Sequence, residues 1–140
     1  MRIEHTIEIA APVERVWDLT IDVESWPEHT PTITSVERLD DGPFGLGSRA
    51  RIKQPAQGAK EWTVTAFEPN VRFAWATKLA GQSLTGGHEL RPSAQGTINT
   101  LTLDLDGPLA FPIGLLIRRP IAKAIATENA GFKAAAEQST

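Results

Sequence analysis

Apolar residues follow two different rhythms along this chain. In residues 111–137 they recur at steps of about four, as one face of an α-helix requires. This spacing predicts one long helix from Phe111 to Glu137. Its apolar stripe consists of Ile113, Ile117, Ile121, Ile125, Phe132 and Ala136. Between Ile33 and Asp106, apolar and polar residues alternate over short runs, which predicts a series of half-buried strands.

The first thirty residues predict a strand followed by two short helices. Residues 3–9 alternate between apolar and polar side chains, as in a strand with one buried face. Pro12 ends this strand and suits the first position of a helix, which then places Val16 and Trp17 on one face. Asp22 can cap a second short helix, because its side chain can accept a hydrogen bond from a free backbone N–H.

Turn signals divide the central region into six further strands. The strongest is the Asp40 to Pro43 run, which is rich in turn-forming residues. Further loops or turns are expected at Pro55 to Ala59, Glu68 to Asn70, Ala80 to Gln82 and Pro92 to Gly96. Consecutive strands joined by short turns pair antiparallel. The chain therefore predicts an α+β fold in which the C-terminal helix covers one face of a seven-stranded sheet.

Pro120 lies inside the predicted long helix. Proline removes one backbone hydrogen bond and clashes with the preceding turn. We therefore expect a kink or a break between Arg118 and Ile121.

Composition narrows the class of protein. The chain has 140 residues, the size of one domain, so we expect residues 1–140 to form a single domain. The net charge of −3 gives no electrostatic case for nucleic acid or an anionic membrane. The absence of cysteine excludes disulfides and thiolate chemistry. No signal peptide or membrane-spanning stretch is recognisable, so we expect a cytoplasmic protein without membrane insertion.

The order of these elements carries a family resemblance. The residues that support it are Ala11-Pro12-Val13-Glu14-Arg15-Val16-Trp17, Asp22, Trp26-Pro27, Gly45-Leu46-Gly47-Ser48, Glu68-Pro69, Gly96-Thr97 and the helix end at Ala136-Glu137. In this order and spacing they resemble the START/Bet v 1-like (SRPBCC) superfamily, and within it the polyketide cyclase/dehydrase-like branch. The resemblance covers nearly the whole chain.

The resemblance implies a helix-grip fold. A curved antiparallel sheet would wrap the last helix and leave an apolar cavity between them, with two short helices after the first strand. Members of the superfamily carry lipids, sterols or aromatic polyketides, cyclise or dehydrate such compounds, or bind other proteins. A hydrophobic small molecule is therefore the expected partner, and the oligomeric state is left open.

Aromatic residues are the first candidates for contact with such a ligand. Trp62 and Trp75 are expected on the inner face of neighbouring strands, and Phe73 shares the face of Trp75. Large rings can stack on a flat apolar ligand, or they can simply fill the core. Trp26 lies beside Pro27, either at the rim of the cavity or in plain packing.

Two polar residues are expected on the same inner face. His88 could contact a ligand, act as an acid or base, or be a core histidine bonded to a neighbour, and it is the one candidate for catalysis. Asn99 could orient a ligand carbonyl or hydroxyl, or meet water at a strand end. The predicted ligand-binding set is Trp26, Trp62, Phe73, Trp75, His88, Asn99, Leu101, Ile117 and Ile121.

Other site chemistries find no support in the sequence. The spacing of the three histidines does not match a metal site, so neither a metal nor a cofactor is expected. The carboxylates Glu61, Glu89, Asp104 and Asp106 fall on outer faces or near strand ends. No pair of them is spaced for acid–base catalysis.

Three functions remain open at this point. The first is a binding protein for a hydrophobic or aromatic small molecule, such as a lipid or a polyketide. The second is a cyclase or dehydratase that uses the same cavity. The third is a protein-interaction module built on the same fold. The sequence does not decide whether the protein is an enzyme.

Overall fold

The computed structural model describes residues 1–55 and 58–138 of the chain. Alternating apolar residues form seven strands, and the C-terminal stripe forms one long helix. The elements are β1 (Arg2–Ile9), α1 (Val13–Ile21), a 3-10 helix (Val23–Glu28), β2 (Ser35–Arg38), β3 (Arg49–Lys53), β4 (Lys60–Glu68), β5 (Arg72–Leu79), β6 (Gln82–Ser93), β7 (Gly96–Asp106) and α2 (Ala110–Glu137). The loop expected from Pro55 to Ala59 includes two residues, 56 and 57, that lie outside the described part.

The seven strands form one antiparallel sheet in the order β1-β7-β6-β5-β4-β3-β2. Strands β2 to β6 each pair with the next strand along the chain, and β1 pairs with β7. The predicted α+β helix-grip fold with two short helices after β1 is therefore confirmed. The register between β4 and β5 shifts between Val64 and Ala66, and such a bulge bends the sheet.

The start of β5 differs from the sequence prediction. In the sequence Val71 alternates with Phe73 and Trp75, and this pattern predicts that all three share one face of the strand. Val71 instead precedes the strand and is 44% exposed. Its N–H donates to the Glu68 carbonyl, so Val71 completes the turn instead of extending the strand. The turn that begins at Glu68 ends one residue later than predicted, so β5 begins at Arg72.

The long helix runs without interruption from Ala110 to Glu137, with Pro120 inside it. The break expected at this proline is therefore wrong, and a bend there stays a prediction. The missing N–H of Pro120 would have bonded to the carbonyl four residues earlier, at Leu116. Leu116 is 81% exposed, so water can reach that part of the helix in place of the lost bond.

Helix α2 is held on the β1 and β7 side of the sheet by a buried amide. Asn129 is fully buried, and its Oδ1 accepts a hydrogen bond of 2.8 Å from Nδ2 of Asn99 on β7. Its own Nδ2 donates to the backbone carbonyls of His5 (3.1 Å) and Asn99 (3.2 Å), and lies 3.0 Å from Nδ1 of His5. One side chain therefore joins the helix to both strands.

Two glycines allow α2 to approach its neighbours closely. A side chain at Gly114 would collide with the Met1 side chain, and one at Gly131 would collide with the His29 carbonyl oxygen. At the C-terminal end, the guanidinium of Arg15 donates to the carbonyls of Ala135 (3.1 Å) and Ala136 (2.8 Å). These carbonyls have no partner within the helix, so Arg15 satisfies them and fixes the helix end.

Replacement of Asn129 by Ala is expected to lower the free energy of unfolding by about 3 kcal/mol, because it leaves the Asn99 amide and two backbone carbonyls buried without this partner. Urea denaturation followed by tryptophan fluorescence measures the change. Lys123→Ala, an exposed change on the same helix, is the control and should stay within about 0.5 kcal/mol of the parent. An Asn129→Ala variant as stable as this control would contradict the role given to the amide.

Candidate functional site

A cavity of about 500 Å³ lies between the inner face of the sheet and helix α2. Seven of the nine residues predicted to contact a ligand line it: Trp26, Trp62, Trp75, His88, Leu101, Ile117 and Ile121. The remaining lining is mostly apolar and comes from strands β3 to β7, from the segments before β2 and after β3, and from α2. It includes Ile33, Ile52, Leu79, Leu84, Leu103, Ala124 and Ile125.

Tryptophan rings form one wall of this cavity. The centroids of Trp26 and Trp75 are 5.2 Å apart in an edge-to-face arrangement, and those of Trp62 and Trp75 are 6.0 Å apart. Gly86 on β6 lies opposite the last two rings. A Cβ atom there would meet Trp75 at 3.6 Å and Trp62 at 3.7 Å, both ordinary contact distances. Glycine at this position therefore leaves space beside the rings.

An aromatic cluster fills the interior at one end of the cavity. The Trp26 ring contacts Phe132 of α2 edge-on at 5.7 Å, and Phe73 stacks on the His88 ring at 4.8 Å with an interplanar angle of 7°. Phe44 contacts Phe73 edge-on at 5.3 Å. Phe73 is thus a packing residue behind His88 and does not line the cavity, contrary to its placement in the predicted site.

Asn99 is the second predicted site residue that does not line the cavity. It is fully buried, and its Nδ2 donates to Asn129 of α2. The sequence placed Asn99 correctly on the inner face of its strand. It did not show that an amide on the helix would occupy its donor, and Asn99 is not among the residues that line the cavity.

His88 lines the cavity as a neutral group. Burial lowers the pKa of its imidazole from 6.5 to about 3, because the charged form cannot be solvated there. Its Nδ1 is buried and has no hydrogen-bond partner among the described residues. An imidazole with so low a pKa is a weak base near neutral pH, so His88 suits hydrogen bonding better than proton transfer.

Glu128 is a cavity residue that the sequence analysis missed. It lies on α2 between Ile125 and Phe132, in the wall of the cavity. Burial raises the pKa of its carboxyl from 4.5 to about 7, although a hydrogen bond of 3.1 Å from Thr32 Oγ1 opposes the rise. The sequence could have indicated this residue, because the apolar stripe of α2 has a residue about every four positions up to Ile125 and then none until Phe132. Glu128 and Asn129 fill that gap.

Among the described residues that line the cavity, Lys60 is the one lysine or arginine. Its Nζ donates to the backbone carbonyl of Lys78 at 3.1 Å. Within residues 1–55 and 58–138, no group of three or more histidine or acidic side chains is arranged to hold a metal ion. No helix in the same residues is long and apolar enough to cross a membrane.

Comparison with known proteins identifies the family. The family described as "Polyketide cyclase / dehydrase and lipid transport" matches residues 1–137, and the chain belongs to it. A relative from Streptomyces cyaneus, named "Putative polyketide cyclase", is 38% identical over 60 residues. That match covers 43% of this chain and 39% of the relative, so the two are compared over less than half of either length.

Solved structures share the fold at low sequence identity. The di-domain ARO/CYC StfQ from the steffimycin biosynthetic pathway is 17% identical with a TM-score of 0.77, over 97% of this chain and 50% of that one. A START superfamily protein from Mycobacterium smegmatis is 18% identical with a TM-score of 0.74, over 99% of both chains. The predicted polyketide cyclase/dehydrase branch is confirmed by the family match, and the START superfamily structure shares the fold of this chain.

The lowered pKa of His88 predicts a specific loss of stability in acid. The unfolded chain takes up a proton at this histidine near pH 6.5, whereas the folded chain resists until about pH 3. Between pH 6 and 4 the parent should lose about 1 kcal/mol more per pH unit than a His88→Leu variant. Glu128 acts in the opposite direction over part of this range, but it is present in both proteins. Equal pH slopes in urea denaturation would show that His88 is not held neutral.

Proposed function

We propose that this chain binds a hydrophobic or aromatic small molecule in the cavity between the sheet and α2. The observation that carries the proposal is the cavity itself, about 500 Å³ with a largely apolar lining. Sites for small molecules usually enclose about 300–1,000 Å³ and combine apolar walls with a few polar groups. The family description, which includes both cyclases and lipid transport, supports the same class of ligand.

The ligand would lie between tryptophan rings and the helix. Trp62 and Trp75 offer ring surfaces on the sheet side, and Ile117 and Ile121 offer aliphatic surface on the helix side. Leu101 belongs to the same apolar lining, while Trp26 and His88 lie beside the aromatic cluster. Residues 1–140 would act together as one ligand-binding domain, and its cytoplasmic location stays a prediction.

A cyclase or dehydratase is the second candidate, and Glu128 is the observation that favours it. A carboxyl with a pKa of about 7 in an apolar cavity can exchange protons near neutral pH. The polyketide-related proteins that match this chain support this class. In this function the cavity would hold a reactive ligand in a folded shape, and Glu128 would replace His88 as the acid–base candidate.

Two measurements test ligand binding. Native mass spectrometry of the purified protein should show an apolar compound that remains bound. Gly86→Leu adds a side chain beside Trp62 and Trp75 and should weaken binding of that compound about tenfold or more, because the new side chain occupies ligand space.

The control for this variant is Thr63→Leu, which adds apolar volume on the exposed face of β4 and should leave binding unchanged. Equal binding by the parent and by a folded Gly86→Leu protein would place the ligand elsewhere. Failure to bind any apolar compound would argue against the proposed function itself.

A further inference from the structure

The carboxyl of Glu128 is only partly used by the protein. Oε1 accepts the hydrogen bond from Thr32 Oγ1, which also lies 2.9 Å from Thr30 Oγ1. Oε2 has no hydrogen bond from any described residue. Because Glu128 stands in the cavity wall, this oxygen is available to a bound molecule.

No basic side chain of the described residues forms an ion pair with Glu128. Lys60 of β4 lines the same cavity, but its Nζ donates to the backbone carbonyl of Lys78 in β5. Other titratable residues lie near this part of the helix: His88 of β6 lines the same cavity, His5 of β1 lies beside Asn129, and His29 after the 3-10 helix lies against Gly131. The pKa of Glu128 therefore depends on burial and on the hydroxyl of Thr32.

Two titratable groups of the cavity, His88 and Glu128, shift toward their neutral forms. The pKa of His88 is lowered and the pKa of Glu128 is raised, and burial is the main cause in each case. A cavity that penalises charge on its own side chains penalises charge on a ligand for the same reason. The ligand that fits is therefore uncharged, with an apolar body.

We propose that Glu128, in its protonated form, anchors a neutral aromatic ketone by donating a hydrogen bond from Oε2 to the ketone oxygen. Thr32 holds the carboxyl in place through Oε1 and leaves the second oxygen to the ligand. The proposal rests on the proposed function and specifies its ligand class. It also gives Glu128 a role in the cavity whether or not a reaction follows binding.

The anchor has a clear consequence for pH dependence. Protonation of Glu128 favours binding, and a ligand that displaces water from the carboxyl raises its pKa further. Binding near neutral pH should therefore take up a proton. The affinity for a ketone should fall as pH rises through about 7, whereas a cationic amine would show the opposite trend.

Isothermal titration calorimetry with two matched probes tests the anchor. The probes are 2-acetylnaphthalene and 2-ethylnaphthalene, which share a ring system and differ by the ketone oxygen. For the parent, affinity for the ketone should drop about tenfold or more between pH 5.5 and 8.5. Glu128→Gln retains a donor and should bind the ketone equally at both pH values. Glu128→Leu should lose the preference for the ketone over the hydrocarbon.

The control is Glu89→Gln, an exposed carboxylate on the outer side of β6, which should behave as the parent does. The proposed anchor would be contradicted if the affinity of the parent for the ketone stayed constant or rose with pH. A preference for the ketone that survives Glu128→Leu would overturn it as well. If the parent binds neither probe at either pH, the proposed function fails and the anchor fails with it.

Discussion

The attachment of α2 to one side of the sheet is the constraint on which the rest of the structure depends. The Asn129 amide joins the helix to β1 and β7, and Arg15 holds the C-terminal carbonyls. A buried amide needs its partners, so the helix cannot slide across the sheet without losing them. The helix therefore covers one side of the curved inner face and leaves the middle strands facing open space.

The residues around that space determine what it can hold. Aromatic rings around Phe73 and Trp26 pack the interior at one end, while Gly86 leaves room beside Trp62 and Trp75. The pKa values of two titratable groups in the lining, His88 and Glu128, are both shifted toward the neutral forms. The result is a largely apolar, aromatic cavity with few hydrogen-bonding groups, and the Nζ of its lysine, Lys60, is bound to a backbone carbonyl. Such a cavity favours an apolar ligand with limited polarity.

Regular patterns made the fold and most of the cavity predictable, because burial imposes a fixed period on strands and helices. The stripe that placed Ile117 and Ile121 on one helix face also placed them in the cavity. The predictions that were wrong concern residues whose structural context depends on other parts of the chain. Asn99 pairs with an amide 30 positions away, and Pro120 is accommodated because its helix turn is exposed. Glu128 was missed because a single acidic residue within an apolar stripe looks like an interruption of the stripe and not like part of the buried face.

The central claim is that an open, apolar cavity exists between the sheet and α2. Xenon binds dry apolar cavities in proteins, so a crystal pressurised with xenon tests the claim directly. We expect ordered xenon between Trp62 and Leu84 on the sheet and Ile117 on the helix. A crystal without xenon at this position, with side chains filling the space, would contradict the account.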